Sequence, residues 1–170
     1  MKRTRSEKNA ALASDDPIEK LMQEHGLEMT YLSNLGNAVH SIEANGFSVA
    51  AFQTIAESVR TIGKILFSHS EREEQYLFPM IENHVEGPTN IMRSEHRKLW
   101  ETYRSLMQSV QDVEDGRLSS FSTRDLLQMT KFLVEYLTNH INKENTVLFT
   151  MAKRVLTTDE YQKLRVAIAH

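Results

Sequence analysis

The chain has 170 residues, enough for one domain with its own core and too few for two domains of ordinary size. A formal net charge of -3, with 40% hydrophobic and 25% charged residues, is typical of a soluble globular protein and gives no general attraction to nucleic acid or anionic lipid. The absence of cysteine excludes disulfides, thiolate metal sites and thiol nucleophiles, so a metal would have to bind to His, Asp or Glu.

The N-terminal residues 1–14 carry four basic side chains and lack the apolar segment of a secretory signal, so we predict a disordered tail. No run in the sequence approaches the roughly 18 to 20 apolar residues that a membrane-spanning helix needs. These absences favour a cytoplasmic protein without a membrane or nucleic-acid partner.

Two long amphipathic helices are predicted in the first half of the chain. Asp16 and Pro17 offer an N-cap and a first-turn proline for a helix that ends near Asn45. Apolar residues recur along it at spacings of three and four, at Ile18, Leu21, Met29, Leu32, Leu35, Val39 and Ile42. The same pattern covers about residues 48–84, before the helix-breaking segment 86–88.

The second half repeats this arrangement, with predicted helices at about 89–114 and 123–154. Thr157 and Glu160 have the spacing of a capping box and predict a short fifth helix. Because short links favour antiparallel neighbours, we predict an all-α, up-down-up-down antiparallel four-helix bundle over residues 15–154 and a short C-terminal helix within 155–170.

Six residues on the core-facing stripes are polar, and burying each of them unpaired would cost several kcal/mol. They are His25, His69, Glu73, His96, His140 and Glu144. Counting from the links places them in one slab of the bundle, with a looser match of roughly 7 Å between Glu73 and His96. Four imidazoles and two carboxylates that converge in a dry core indicate a dinuclear metal site with bridging carboxylates.

An internal repeat supports this interpretation. Adding 71 to a residue number maps His25 onto His96, His69 onto His140 and Glu73 onto Glu144, and Glu24, Leu35 and Leu66 also fall on identical residues. The repeat predicts two helix pairs that are related by a pseudo-twofold axis, each of which contributes half of the site.

The doubled motif, a His on one helix and then His-x-x-x-Glu followed by Leu-Phe on the next, resembles the haemerythrin-like HHE cation-binding family. The resemblance covers about residues 15–154 and includes HSEREEQYLFP at 69–79, GPTNIMRSEHRKLW at 87–100 and HINKENTVLFTM at 140–151. It implies a non-haem di-iron centre, with two Fe ions bridged by oxygen and by both carboxylates.

Two departures from the family pattern bear on function. Oxygen-carrying haemerythrins have a fifth histidine where this chain has Trp100, and an Asp where it has Asn145. The loss of a nitrogen ligand leaves the irons more open, which favours reaction with small molecules over reversible oxygen carriage. The iron–sulfur cluster repair branch shares the four-His, two-Glu set, but has a cysteine-bearing leading domain that is not seen in this sequence.

We therefore predict a di-iron protein that binds or reacts with O2, NO or peroxide, whether or not it turns the ligand over. One alternative is an iron, oxygen or redox sensor that acts through a protein partner, for which the basic tail is a weak candidate. Ferritin-like iron handling is a second alternative, although the His-x-x-x-Glu order argues against it. A third is a bundle whose histidines bind adventitious zinc.

Several neighbouring residues have two interpretations. Tyr136 and Trp100 lie one turn from metal-binding positions and could form hydrogen bonds near the metals, but packing is favoured for both. Glu74 points about 100° away from Glu73 and is predicted to be solvated. Four methionines are predicted to fill the core and three histidines to lie at the surface. These are Met22, Met29, Met92 and Met151, and His40, His84 and His170.

Overall fold

The computed structural model describes residues 16–117 and 120–169, and of residues 120–122 only the backbone. The predicted tail at 1–14 and His170 lie outside the described residues. Within the described part, the regular structure is entirely helical. None of the helices there is long and apolar enough to cross a membrane.

The helices follow the predicted order, and two of them contain a π-helical segment. The elements are α1 (Pro17–Asn45), α2 (Val49–Arg72), π1 (Glu73–Leu77), α3 (Phe78–Glu82), α4 (Thr89–Glu114), α5 (Ser120–Lys143), π2 (Glu144–Leu148), α6 (Phe149–Val155) and α7 (Thr158–Ile168). The helix predicted from residue 123 begins three residues earlier. α2, π1 and α3 follow one another without a break, as do α5, π2 and α6.

Local sequence signals explain where α1 and α7 begin. The side chain of Asp16 accepts hydrogen bonds from the backbone N–H groups of Ile18 and Glu19, and Pro17 occupies the first turn. At α7 both hydrogen bonds of the predicted capping box are present, between Thr157 and Glu160. These caps satisfy backbone donors that would otherwise remain unpaired.

The long helices pack as a bundle in which each contacts two neighbours. α1 contacts α2 and α5, and α4 likewise contacts α2 and α5. Gly63 allows α2 and α4 to approach closely, because a Cβ atom there would lie 2.2 Å from Cζ of Tyr103. Any larger residue at this position would have to displace the tyrosine ring.

The core consists of two apolar clusters. The link-side cluster includes Leu35, Val39, Ile55, Leu106 and Leu137. The cap-side cluster lies where α3, α6 and α7 meet the start of α1, and its members include Ile18, Leu21, Phe78, Phe149 and Leu164. The six predicted polar residues lie along the helices between the residues of these two clusters.

The prediction of Met29 as a core residue is wrong, because its side chain is 38% exposed. The buried stripe of α1 instead runs through His25, Glu28 and Leu32, which keeps the alternation of three and four. Met92 is buried as predicted. Met22 and Met151 are partly buried against the cap-side cluster.

Candidate metal centre

The structure brings the six predicted residues together in a closed chamber. The four imidazoles are no more than 2% exposed, and Glu73 and Glu144 are completely buried. α1 and α4 each supply one histidine. α2 and α5 supply the other two, and each of these helices passes into the π segment that begins with a carboxylate.

Each chamber imidazole has a hydrogen-bond acceptor on the outer side of its ring. The Nδ1 atoms contact an acceptor oxygen at 2.7 to 2.9 Å, in the pairs His25–Asn145, His69–Glu24, His96–Glu74 and His140–Glu95. A proton on Nδ1 leaves the lone pair of a neutral imidazole on Nε2, which faces the chamber. The outer acceptors therefore select the tautomer that a metal ligand needs.

Two of these acceptors are themselves held by a cation from the same helix as the histidine. Arg72 donates to both carboxylate oxygens of Glu24 at 2.7 Å, and Lys143 donates to Glu95. Arg72 lies three residues after His69, as Lys143 does after His140. In each half, a histidine, a carboxylate and a cation are thus linked by hydrogen bonds from the chamber to the surface.

Inside the chamber the imidazoles form two pairs. The Nε2 atoms of His25 and His69 are 3.0 Å apart, and the centroids of their rings are 4.5 Å apart. His96 and His140 form the other pair, with a centroid distance of 4.8 Å.

Glu144 lies between the two pairs, with one oxygen towards each. Its Oε2 is 3.0 Å from Nε2 of His25 and 3.9 Å from Nε2 of His69. Its Oε1 is 2.9 Å from Nε2 of His140 and 3.5 Å from Nε2 of His96. A carboxylate in this position has one oxygen available to a cation at each histidine pair.

Glu73, the counterpart of Glu144 in the repeat, also contacts both histidine pairs. Its Oε1 is 3.4 Å from Nε2 of His69, and its Oε2 is 3.4 Å from Nε2 of His96. Each histidine pair is therefore approached by one oxygen from each carboxylate, which gives two donor sets of two nitrogens and two oxygens.

The π segments begin at the two chamber carboxylates. π1 starts at Glu73 and π2 at Glu144, so the offset of the sequence repeat relates the π segments as well. A π turn widens the helix locally and changes the direction of the side chains on it, and such turns are frequent at functional sites. Beyond them Phe78 stacks on His96 at 5.7 Å and Phe149 on His25 at 5.3 Å, which closes the chamber on the cap side.

The charges in the chamber stabilise one another. Burial lowers the pKa of His96, but the neighbouring carboxylates of Glu144, Glu73 and Glu74 outweigh it and raise the pKa to about 11. Burial alone would raise the pKa of the Glu144 carboxyl, yet the nearby imidazoles of His140, His25 and His96 hold it well below its ordinary value. The carboxylates are thus kept ionised in a buried site.

Several polar atoms in the chamber have no hydrogen-bond partner in the described part of the chain. Both carboxylate oxygens of Glu73 and of Glu144 are buried without a hydrogen-bond partner in the described part of the chain, as is Nε2 of His96. Buried acceptors without donors are costly, whereas a cation in their midst would satisfy them all. Three-residue groups with metal-ligand spacing occur at His25, His69 and Glu144, and at His96, His140 and Glu144.

Sequence reasoning missed most of the outer acceptors. Glu74 was predicted to be solvated, but its half-buried side chain accepts a hydrogen bond from His96, which holds the pKa of Glu74 below its ordinary value. The repeat carried a signal for Glu24 and Glu95, which its offset maps onto each other. No comparable signal identified Asn145 as a partner of His25.

Glu28 was missed entirely. It is 1% exposed on the buried stripe of α1, and its Oε1 is buried without a partner in the described residues. Burial raises the pKa of Glu28 to about 7.

The other predicted neighbours belong to the packing around the chamber. Tyr136 stacks on Phe132 at 5.4 Å, and Trp100 contacts Phe67 edge-on at 5.7 Å. Both are partly buried against the link-side cluster. His40 is exposed as predicted. His84 is 30% exposed and pairs with Glu160 at 2.7 Å.

One surface pocket reaches the chamber wall. It has a volume of about 310 Å³, and its lining residues are Phe67, Ser70, Glu71, Glu74, Gln75, His96, Arg97 and Trp100. His96 is therefore the chamber residue that this pocket reaches.

Sequence comparison relates the chain to a family of cation-binding domains. The family model described as the hemerythrin HHE cation binding domain matches residues 16–152. The iron-sulfur cluster repair protein YtfE of Enterobacter sp. (strain 638) is 28% identical over 142 residues, which are 81% of this chain and 64% of that protein. YtfE of Cronobacter sakazakii is 30% identical over 102 residues, 58% of this chain and 46% of its own. The chain spans less than two thirds of the length of these relatives.

Proposed function

The chain belongs to the hemerythrin HHE cation-binding family, and from this we propose that it is a non-haem di-iron protein whose centre binds or reacts with O2, NO or peroxide. The observation that carries the proposal is the position of the two carboxylates. Glu73 and Glu144 each direct one oxygen to the His25/His69 pair and the other to the His96/His140 pair.

In the proposed centre, one iron would be held by His25 and His69 and the other by His96 and His140, with Glu73 and Glu144 as further ligands. An iron with so few protein donors would remain open to a small external ligand. Iron bound in this way would supply the redox chemistry. The protein fixes the imidazole tautomers through the outer acceptors and excludes bulk water by burying the chamber.

The ligand would have to be small. The ligating side chains are at most 2% exposed, so no organic substrate of ordinary size reaches them without rearrangement. We propose that ligands enter through the pocket that Phe67 and Trp100 line and reach the chamber at His96. Diatomic gases and peroxide are compatible with such a route.

We also propose that residues 15–154 form the metal-binding unit as an up-down-up-down four-helix bundle. Cross-helix contacts support the antiparallel order of α1 and α5, because Glu43 near the end of α1 pairs with Lys131, whereas His25 nearer its start pairs with Asn145. The helix within residues 155–170 would then be an attached element, held by the hydrogen bond from the Tyr161 hydroxyl to Asp16.

A second candidate function follows from the relatives. The matched YtfE proteins are named as iron-sulfur cluster repair proteins. By analogy, this chain would exchange iron with a protein partner without turning over a small molecule. The shared portion covers less than two thirds of those proteins, so the analogy extends to the metal-binding unit and not to their whole activity.

The first test is the metal content and optical spectrum of aerobically purified protein, compared with a Glu73→Ala/Glu144→Ala double variant. The proposal predicts about two irons per chain and near-ultraviolet oxo-bridge absorption, both of which are lost in the variant. Zinc or no metal in the parent, with an unchanged variant, would overturn it.

If the centre contains iron, activity assays distinguish the two candidate functions. Turnover of peroxide or NO would indicate an enzyme, and reversible binding or iron transfer to an apo-protein would indicate a carrier or donor.

A further inference from the structure

Ser70 is a small residue at the level of the chamber, between His69 and Glu73 in the sequence. Its side chain is 5% exposed, and its hydroxyl donates a hydrogen bond to the backbone carbonyl of Leu66 at 2.7 Å. The hydroxyl is therefore satisfied within its own helix. Ser70 also lines the surface pocket of about 310 Å³ that reaches His96. Its small size thus leaves space between α2 and α4 beside the chamber.

The repeat has a large apolar residue at the equivalent position of the other half. Adding 71 to Ser70 gives Ile141, which lies between His140 and Glu144. Ile141 is 1% exposed and belongs to the link-side cluster. The repeat pairs the groove between α2 and α4 with the groove between α5 and α1. The second groove is filled at this point as protein interiors normally are, whereas the serine leaves the first unfilled.

The surface pockets in the two grooves differ in the same way. The pocket between α2 and α4 includes the chamber residue His96 in its lining. A pocket of about 380 Å³ between α1 and α5 is lined by residues within 36–43 and 131–139, and none of its described lining residues belongs to the six of the chamber. The groove that contains Ser70 is thus the one whose pocket reaches a predicted metal ligand.

We propose that Ser70 is the residue that keeps the ligand entrance open, so that small ligands reach the centre on the His96/His140 side. This inference rests on the proposed function, in which the pocket is the route of entry. The size of the side chain at position 70 determines what passes, and its hydroxyl is not required. Diatomic molecules and peroxide pass a serine, whereas a large β-branched residue closes the passage, as Ile141 does in the other groove.

The first test measures how fast azide, a small ligand of ferric iron, binds to the iron-loaded full chain in stopped-flow absorption. Ser70→Ile, which copies the other half, should slow azide binding by about tenfold or more, because entry then requires the helices to rearrange. The affinity for azide should change little, since a closed passage slows entry and exit alike. Ser70→Ala, which removes the hydroxyl and keeps the side chain small, should bind azide at the rate of the parent.

Two iron atoms in Ser70→Ile with an unchanged rate of azide binding would overturn the inference and leave the proposed function intact. A loss of rate in Ser70→Ala as large as that in Ser70→Ile would also overturn it, because the hydroxyl and not the size would then be responsible.

The reciprocal variant Ile141→Ser opens the other groove. It should roughly double the rate of azide binding because it adds a second entrance, and combined with Ser70→Ile it should restore the rate that Ser70→Ile alone loses. A combined variant as slow as Ser70→Ile would contradict the proposal. Circular dichroism checks the folding of each variant. If Ser70→Ile loses helicity, Ile141→Ser decides, and no gain in rate there overturns the inference.

Trp100 gives a readout that needs no metal. It is the only tryptophan of the chain, and it lines the same pocket as Ser70. Quenching of its fluorescence by acrylamide in the metal-free protein should decrease in Ser70→Ile, which fills the pocket, and stay at the level of the parent in Ser70→Ala. Equal quenching in the parent and Ser70→Ile would show that position 70 does not shape the pocket and would overturn the inference alone. A parent that binds no iron would overturn the proposed function and the role of Ser70 with it.

Discussion

The two halves of the bundle, related by the sequence repeat, share their chamber residues and differ at some of the residues around them. Each half has a histidine on its first helix, a His-x-x-x-Glu motif on its second and a π segment that begins at the glutamate. Outside the chamber, Glu24 and Glu95 correspond, whereas Arg72 is replaced by Lys143 and Glu74 by Asn145.

This difference shows which positions the geometry constrains. Glu73 and Glu144 each face both histidine pairs at once, so a change at either would disturb both halves of the proposed centre. An outer acceptor only has to present an oxygen to one Nδ1 atom, which a carboxylate or an amide can do. The halves are thus free to differ at residues that contact a single histidine.

Removal of a bridging carboxylate should have the largest effect. Glu144 has an oxygen within 3.0 Å of His25 and another within 2.9 Å of His140, so Glu144→Gln should lose both metals and not one. Metal analysis after desalting measures this, and the exposed Glu135→Gln on α5 is the matched control. Retention of one full equivalent of metal would contradict the bridging role.

Removal of an outer carboxylate should affect one metal only. Glu24→Ala should weaken the His25/His69 metal, and Glu95→Ala the His96/His140 metal, each by about 10- to 100-fold. The reason is that each carboxylate fixes one imidazole through Nδ1. Stepwise Co(II) titration distinguishes the two steps. Equal weakening of both steps in either variant would contradict the assignment of acceptors to halves.

Exchange of the unlike acceptors should make the halves more alike. Asn145→Asp gives His25 an anionic acceptor and should tighten its metal by about three- to tenfold, while Glu74→Gln should weaken the other metal by a similar factor. Both keep an acceptor oxygen at the same place, so helicity should not change. Identical titration curves for parent and variants would show that the acceptor charge is irrelevant.

The smallest effect is expected at α7, which lies outside the repeat. Hydrogen bonds from the backbone and side chain of Thr157, together with His84, lower the pKa of Glu160 to about 2 from an ordinary value of 4.5. Ionised Glu160 therefore stabilises the fold above pH 4.5, and this contribution disappears as the pH falls towards 2. Glu160→Gln should lower the Tm slightly at about pH 6, by an amount that shrinks as the pH is lowered. A difference that grows in acid would contradict this.

Much of the centre was predictable because its residues occupy helical stripes. The six chamber residues keep the three-and-four spacing, and the repeat pairs each of them with another of the six. The difference in level between Glu73 and His96 is smaller than the sequence count predicts, and the two side chains approach to 3.4 Å. Glu73 lies nine residues before the end of α3 and His96 seven after the start of α4, so the true difference is two residues, or about 3 Å.

The sequence predictions failed where a buried position of a helix holds a polar side chain. The sequence pattern favoured Met29 as a core residue because it is hydrophobic, and passed over Glu28, which occupies the buried position. Outer acceptors lie on the flanks of the helices, where polar residues are the rule, so their partners cannot be found without the fold. The π segments have no signature in composition and are evident only from backbone geometry.

Those two π segments also limit how the protein can be redesigned. A π turn holds one residue more than an α turn, so deletion of a single residue between Glu73 and Leu77 would restore a regular α-helix. Because the π turn takes up its extra residue within the turn, the residues after the deletion would keep nearly the same direction around the helix axis, and Phe78 would stay beside His96. The same deletion in a regular part of α2 would instead rotate everything beyond it by about 100° and move Ile81 out of the cap-side cluster. The π segments are therefore the places in these helices where the length can change by one residue without disturbing the hydrophobic end of the bundle.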